Sequence, residues 1–478
     1  MNKRNLILAA AILAAGIPAA AQKFSSVTWR NIQAKPAQLP IIGEIKNVPS
    51  TIGMESVWSV GSETLDRDFA NFENYKKFLG ETGVGYARFQ SGWAKTEQKK
   101  GKYDFAWFDA HIDGCREQGV KPWVCLCYGN PIYSDHGFDL NAKLFPDGPI
   151  MDGWLNYVKA VAKRYKGKVT MYEVWNEPDG GKNGDSYDLY ANLFVRTAKA
   201  IKEIDPNVKI AAFGICSPER AYIPKSLKKI KELGGIDLID YITFHAYWPK
   251  PEVATASILE LRELAHSYSP KIEILQGETG CPGQLEYGHA MSHIEWTEYS
   301  QVKWDCRNML NNFRLGVPYS VFTMVDLNYG WMLQSYGLVR MNLKSEPQYK
   351  RPKFYMVQNV TSIFTPDLKP IPADIKTNTD HEITSFGLEK NGKPVGYVLW
   401  ISDGVPTSSL EREYVTIKES SFPIRNLVYV DLITGKVHQL DNVHNVRNAE
   451  NAKTRELVNI PIWDAPVLII DKSAIKMK

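Results

Sequence analysis

The stretch 168-KVTMYEVW, followed by 186-SYDLYANLFVRTAKAIKEID and then 208-VKIAAFG, decides the fold. An apolar run of strand length leads into a segment whose apolar residues recur at helical spacing, and a second apolar run follows. That is one strand–helix–strand unit. The same rhythm extends in both directions, from about Met54 to Val360. Its apolar runs are 55-ESVWSV, 84-VGYARFQ, 120-VKPWVCLCY, 168-KVTMYEVW, 208-VKIAAFG, 239-IDYITFHAY, 271-KIEILQG and 317-VPYSVFTMV, eight in all. Helix-like segments such as 68-DFANFENYKKFLGETG lie between them, and several end in Gly or Pro, as helix stops do. Eight strand–helix units within about 300 residues predict an α/β fold, the (β/α)8 or TIM barrel. A doubly wound open sheet is the competing arrangement, but no G-x-G-x-x-G follows the first run.

Past Val360 the helical periodicity fades and two hairpin signals take over. Asn391-Gly392 separates 383-ITSFGLEK from 394-PVGYVLW, and Thr434-Gly435 separates 427-LVYVDL from 436-KVHQL. With the final 466-PVLIID, this tail predicts a C-terminal antiparallel β-sandwich. The chain thus divides into a leader over 1–21, an N-terminal segment over 22–51 that can add a strand to the sandwich, a barrel over 52–360 and a sandwich over 361–478.

The leader is read from Lys3 and Arg4, the apolar run Leu6 to Ala15, and Ala19-Ala20-Ala21 before Gln22. That is a signal peptide pattern, too short to span a bilayer. No Cys follows the cleavage signal. The expectation is export, to the periplasm or the medium, without a membrane anchor. Loss of the leader takes the formal net charge from +4 to +2. So small a charge, with no long basic run, gives no sign of a nucleic-acid partner. The six cysteines are expected as buried free thiols, since a chain of 478 residues needs no disulfide staples. Cys281 stands out because it follows a candidate catalytic Glu by three positions.

In a (β/α)8 barrel, chemistry sits at the C-terminal ends of the strands. Run four ends in 174-VWNEPDGG and run seven in 275-LQGETGCPG, so each places one Glu at a strand end. Two carboxyls facing each other across a barrel mouth are what glycoside hydrolysis requires. One protonates the leaving oxygen, and the other attacks the anomeric carbon or activates water. Trp-Asn-Glu-Pro after the fourth of eight strands, with a second Glu after the seventh, resembles the clan A glycoside hydrolases. Family 39 is most similar, with family 5 as neighbour. The resemblance covers roughly the barrel. It implies Glu177 as acid/base, Glu278 as nucleophile and Asn176 as a contact to the sugar 2-hydroxyl. It further implies that Arg88, in 86-YARFQSGW, contacts the nucleophile, that His245 and Tyr247, in 243-TFHAYW, contact the site, and that Trp331, in 326-DLNYGW, floors the sugar subsite. Trp93, Tyr128, Asn130, His136 and Trp248 are further candidates at the mouth.

Elementary electrostatics gives the same roles. The acid/base must hold a proton, and anionic Glu278 would raise its pKa; cationic Arg88 would keep Glu278 ionised, and Tyr247 could donate to it. His289 and His293, four apart, read as one solvated helix face, because His-Ala-Met-Ser-His lacks the Glu of a zinc motif. No motif asks for a metal or another cofactor. The expected activity is retaining hydrolysis of a β-type O-glycosidic bond in an oligo- or polysaccharide. A carbohydrate-binding protein on a decayed barrel and a transglycosylase are the alternatives. The sugar, endo or exo action, and the oligomeric state are not encoded in any motif.

Overall fold

A computed structural model describes residues 39–134, 145–180, 186–219, 221–419, 426–440, 445–447 and 455–478. The leader and His136 lie outside the described residues. The first strand, β1 (Ile41–Glu44), is followed by eight that form a closed parallel barrel. These are β2 (Trp58–Gly61), β3 (Tyr86–Gln90), β4 (Lys121–Leu126), β5 (Met171–Val174), β6 (Lys209–Ile215), β7 (Tyr241–Phe244), β8 (Glu273–Thr279) and β9 (Tyr319–Val321). All eight apolar runs became barrel strands. Closure comes from β9 pairing in parallel with β2, Trp58 opposite Tyr319, which rules out the open sheet.

Barrel strands are covered on both faces, so they read as continuous apolar runs rather than as alternation. In β4 every residue after Lys121 is buried. The helices carry the complementary stripe. In Tyr187–Ile204, Tyr190, Phe194, Ala198 and Ile201 recur three and four apart and all are buried. One helix departs from this rule. Glu298–Arg314, opened by a Thr297–Ser300 capping box, is buried at every position from Ser300 to Phe313, polar residues included. It lies between the barrel and the C-terminal region, so its polar side chains are answered from both sides. Lys303 pairs with Asp464, and Arg307 reaches Glu252 and the Gly404 carbonyl.

The C-terminal region holds two antiparallel sheets. One has seven strands, in the order β1, Lys436–Gln439, Leu427–Asp431, Val467–Asp471, Lys393–Ile401, Ile383–Lys390 and Leu368–Ile371. The other joins Ile375–Thr377, Glu413–Glu419, Arg455–Ile462 and Asn445–Arg447. This is the β-sandwich that the tail predicts. At its Asn391-Gly392 hairpin both residues have positive φ, 54° and 72°, as a two-residue turn with the twist of its strands demands. Among the described residues, no helix is long and apolar enough to cross a membrane.

Candidate active site

Beyond β5 the chain passes through Trp175, Asn176 and Glu177. Trp175 and Glu177 hold positive φ values of 72° and 49°, each costing about 1–3 kcal/mol for a residue with a side chain. Neighbouring strands impose this turn. The Trp175 N–H donates to the Leu126 carbonyl at 3.0 Å and the Glu177 N–H to the Gly214 carbonyl at 2.9 Å. The Trp175 indole packs against Tyr128, Phe145 and Trp154. Asp179 accepts from the Cys216 N–H at 2.9 Å, tying the loop to the end of β6.

Glu278 is the penultimate residue of β8. The glycine after its Thr is a spatial requirement. A Cβ on Gly280 would lie 2.1 Å from the Phe322 carbonyl oxygen. Both glutamates line one cavity of about 1010 Å³ at the C-terminal end of the barrel. One oxygen of Glu177, one of Glu278 and a ring nitrogen of His245 lie within 4.8 Å of one another.

Buried charge surrounds the pair. Arg88, fully buried on β3, donates from Nη1 to Glu278 Oε2 at 2.8 Å, from Nε to Glu173 Oε2 at 2.8 Å and from Nη2 to Asn176 Oδ1 at 2.7 Å. Its Nη1 also lies 3.2 Å from Glu63 Oε1. Burial alone would lower the Arg88 pKa, but these carboxylates outweigh it and keep the guanidinium charged. Tyr247 donates its hydroxyl to Glu278 Oε1 at 2.8 Å; burial and the Glu278 charge raise its pKa, so it stays a donor. His245 Nδ1 lies 3.0 Å from Glu177 Oε1 and 3.8 Å from Glu278 Oε1.

The expectation that Glu278 raises the pKa of Glu177 is corrected by this histidine. Burial does push the Glu177 carboxyl up, but the hydrogen bond and charge of His245 outweigh it and hold the group below the ordinary carboxylate range. Burial pushes His245 down in turn, and Glu278 with Glu177 more than reverses that. Both shifts favour an imidazolium–carboxylate pair. Glu177, His245 and Glu278 are also the one group with metal-ligating spacing among the described residues. Arg88 already pairs with Glu278, and His245 Nδ1 with Glu177.

Several other expectations are corrected. Trp331 is 69% exposed and stacks on His289 rather than flooring the cavity. A two-stranded hairpin, Leu327–Asn328 with Leu333–Gln334, carries it out to the rim, and Tyr329 lines the cavity instead. Trp93 is fully buried, donates to Glu97 at 2.6 Å and packs on Tyr133 and Tyr157. Asn130 donates to the Trp93 and Glu97 carbonyls, so it joins two loops. Neither touches the cavity, whereas Asn176, Tyr128, Tyr247 and Trp248 line it. His245 is fully buried behind the two carboxyls and is not itself part of the lining. His289 and His293 occupy turns with φ of 68° and 62°, not a helix, and His289 lines the cavity. Cys281 is buried in a small cluster with Met291, Trp296 and Trp304. The thiol beside the site is Cys216, which hydrogen-bonds Glu177.

Glu63, Thr64, Arg67, Gln90, Glu219 and His289 line the cavity without having been read as site residues. Glu63 was within reach of the strand-end rule, since it follows β2 by two positions. Gln90, which closes β3, was within the same rule; Arg67 ends a short 3-10 helix, and Thr64, Glu219 and His289 lie outside helices and strands, where the sequence carries no periodic signal.

Residues 86–275 match the family model Glycosyl hydrolases family 39. The matched stretch holds Arg88, Asn176, Glu177, His245 and Tyr247 and stops three residues short of Glu278. The fold is similar to that of a family 39 glycoside hydrolase from the gut symbiont Bacteroides cellulosilyticus WH2, with a TM-score of 0.63 at 17% identity over 87% of this chain and 81% of that one. It is also similar to a monomeric beta-xylosidase from Caulobacter crescentus CB15, with a TM-score of 0.55 at 15% identity over 89% and 97% of the two chains. A GH30 endoxylanase from Clostridium papyrosolvens C71 shares it with a TM-score of 0.56 at 11% identity over 91% and 98%. At such identities the structures speak for the fold. The resemblance to family 39 read from the strand-end motifs agrees with the family model, and the expected barrel and sandwich agree with the solved structures.

Proposed function

We propose that this chain, a clan A O-glycosyl hydrolase, cleaves a β-type glycosidic bond with retention of configuration, using Glu278 as nucleophile and Glu177 as acid/base. The observation that carries the reading is the approach of the two carboxyls, with an oxygen of each inside a 4.8 Å cluster at one barrel mouth. Retaining enzymes hold the pair about 5–5.5 Å apart, whereas inverting ones need about 6.5–9.5 Å to admit water.

Arg88 and Tyr247 each hold one oxygen of Glu278, which sets the carboxylate in place to attack the anomeric carbon. The proton for the departing oxygen is held in the Glu177–His245 pair. A sugar filling the cavity takes solvent from Glu177 and raises its pKa, so the proton passes from Nδ1 to the carboxyl. As the glycosidic bond breaks, Glu177 gives that proton to the leaving oxygen and Glu278 bonds to the sugar. Water then enters, Glu177 takes its proton, and the hydroxide oxygen displaces Glu278. Asn176, held by Arg88, faces the cavity as a contact for the sugar 2-hydroxyl. Export by the leader over residues 1–21 belongs to the same proposal, since an oligo- or polysaccharide is met outside the cell.

The test is the stereochemistry of the first-formed product. Proton NMR of an aryl β-glycoside digest should show the β-anomer first, with the α-anomer growing only by mutarotation. First appearance of the α-anomer would rule out double displacement.

A further inference from the structure

The cavity wall holds polar groups that the protein leaves unanswered. Glu63 is 1% exposed, and its Oε1 lies 3.2 Å from the same Arg88 nitrogen that holds Glu278 at 2.8 Å. Its Oε2 is buried without a hydrogen-bond partner. Thr64 Oγ1 and Gln334 Oε1 are buried without partners as well, and all three residues line the cavity. Native structures seldom leave buried polar atoms unpaired without a reason, and a ligand that completes them is one. The backbone is built around this carboxyl: a Cβ on Gly61 would lie 2.2 Å from Glu63 Oε2. Double displacement makes no use of Glu63. Burial pushes its carboxyl up to about 7, against the pull of Arg88 and with the help of Glu278, so near neutrality it can donate as well as accept.

The charge of the lining narrows the ligand. Glu63, Glu177, Glu219 and Glu278 all face the cavity. Arg67 also lines it, but its guanidinium already pairs with Asp66 at 3.3 Å and bonds Gln90. A sugar carboxylate or sulfate would meet four carboxyls and, among the described lining residues, one arginine that already faces Asp66. Sugar hydroxyls are neutral and both donate and accept, so they satisfy such a wall.

We propose that Glu63, together with Thr64 and Gln334, recognises hydroxyl groups of a neutral sugar seated against Glu278, which makes Glu63 a specificity-determining residue. This rests on the retaining-glycosidase reading above.

The experiment uses the full-length protein, wild type and with Glu63→Ala or Glu63→Gln. The probes are 4-nitrophenyl β-xyloside, β-glucoside, β-galactoside, β-mannoside, α-L-arabinopyranoside and β-glucuronide, then the monodeoxy analogues of the best. Wild type should favour a neutral sugar and turn over one deoxy analogue poorly. Glu63→Ala should lose about 10- to 100-fold in kcat/KM on the parent glycoside and little on that analogue, so the wild-type discrimination collapses. Glu63→Gln, which keeps the shape and one donor, should retain part of it and carries the test if the alanine variant does not fold. Equal losses on the parent and on every deoxy analogue would mean that Glu63 acts only through Arg88, and would overturn the proposal. A wild-type preference for the glucuronide would overturn the neutral class. A folded wild type that hydrolyses none of the glycosides would overturn the retaining reading beneath it, and this inference with it.

Discussion

His245 Nδ1 sits between the two carboxyls of the site, 3.0 Å from Glu177 and 3.8 Å from Glu278. The imidazole comes from the end of β7, the barrel strand that neighbours β8, and is fully buried. Against burial, Glu278 and then Glu177 raise its pKa, and its own hydrogen bond and charge lower that of Glu177.

This pair makes stability depend on pH with a definite sign. His245 stabilises fully below its ordinary value of 6.5, and the contribution fades as pH rises through its higher folded value. Glu177 stabilises fully above its ordinary value of 4.5, and the contribution fades as pH falls through its lower folded value. The melting temperature of wild type should therefore exceed that of His245→Gln most between these two values. Because the Glu177 side chain is 37% exposed, solvent screening holds the difference to about 1 kcal/mol. A gap of constant size from acid to alkaline pH would show that no proton is shared.

The two glutamates should separate by azide rescue. Glu278→Ala should fall to background on every glycoside, and azide should restore it with inverted product, entering from the emptied side. Glu177→Ala should still form the glycosyl-enzyme from an aryl glycoside with an acidic leaving group. Azide, which needs no base, should then release a glycosyl azide of retained configuration. NMR of the azides decides the matter, and the opposite stereochemistry in the two variants would swap the roles.

Arg88→Lys is not conservative at this site. The guanidinium divides three nitrogens among Glu173, Glu278, Asn176 and Glu63, and an ammonium cannot copy that fork. Chemical denaturation should show a loss of about 3–5 kcal/mol, as for other broken buried ion pairs. Steady-state kinetics should show kcat/KM down by about 100-fold or more. Unchanged values would remove Arg88 from the machinery.

Cys281→Ser should keep its activity to within about twofold, because the thiol packs in a small apolar cluster and touches neither carboxyl. The hydroxyl is buried in its place, so unfolding should cost about 1–3 kcal/mol less. An inactive but folded variant would place the thiol in the reaction.

Trp331→Ala and Tyr329→Ala should behave differently. Trp331 is at the rim, so kcat/KM on a 4-nitrophenyl monoglycoside should stay within about twofold, whereas Tyr329→Ala removes cavity wall and should cost about tenfold. A larger loss for Trp331 would put it back on the floor of the subsite.

What the amino-acid order determined by itself was local or periodic. The eight apolar runs became the eight barrel strands because a strand buried on both faces must be apolar along its whole length. Asn391-Gly392 became a hairpin because its φ values are intrinsic to those residue types. Glu177 and Glu278 came to one mouth because a strand end has only one place in a parallel barrel. Tertiary structure alone decided the rest. Nothing near Trp331 or Trp93 says that one goes to the rim and the other into the packing, since an aromatic ring suits either place. His289 and His293 read as one helix face, yet the chain turns there, and His289 packs on Tyr329 and Trp331. Glu63 and His245 owe their electrostatics to partners on other strands, Arg88 and the two catalytic candidates. A pKa is set by burial and by charges within a few ångströms, and those distances exist only once the barrel has closed.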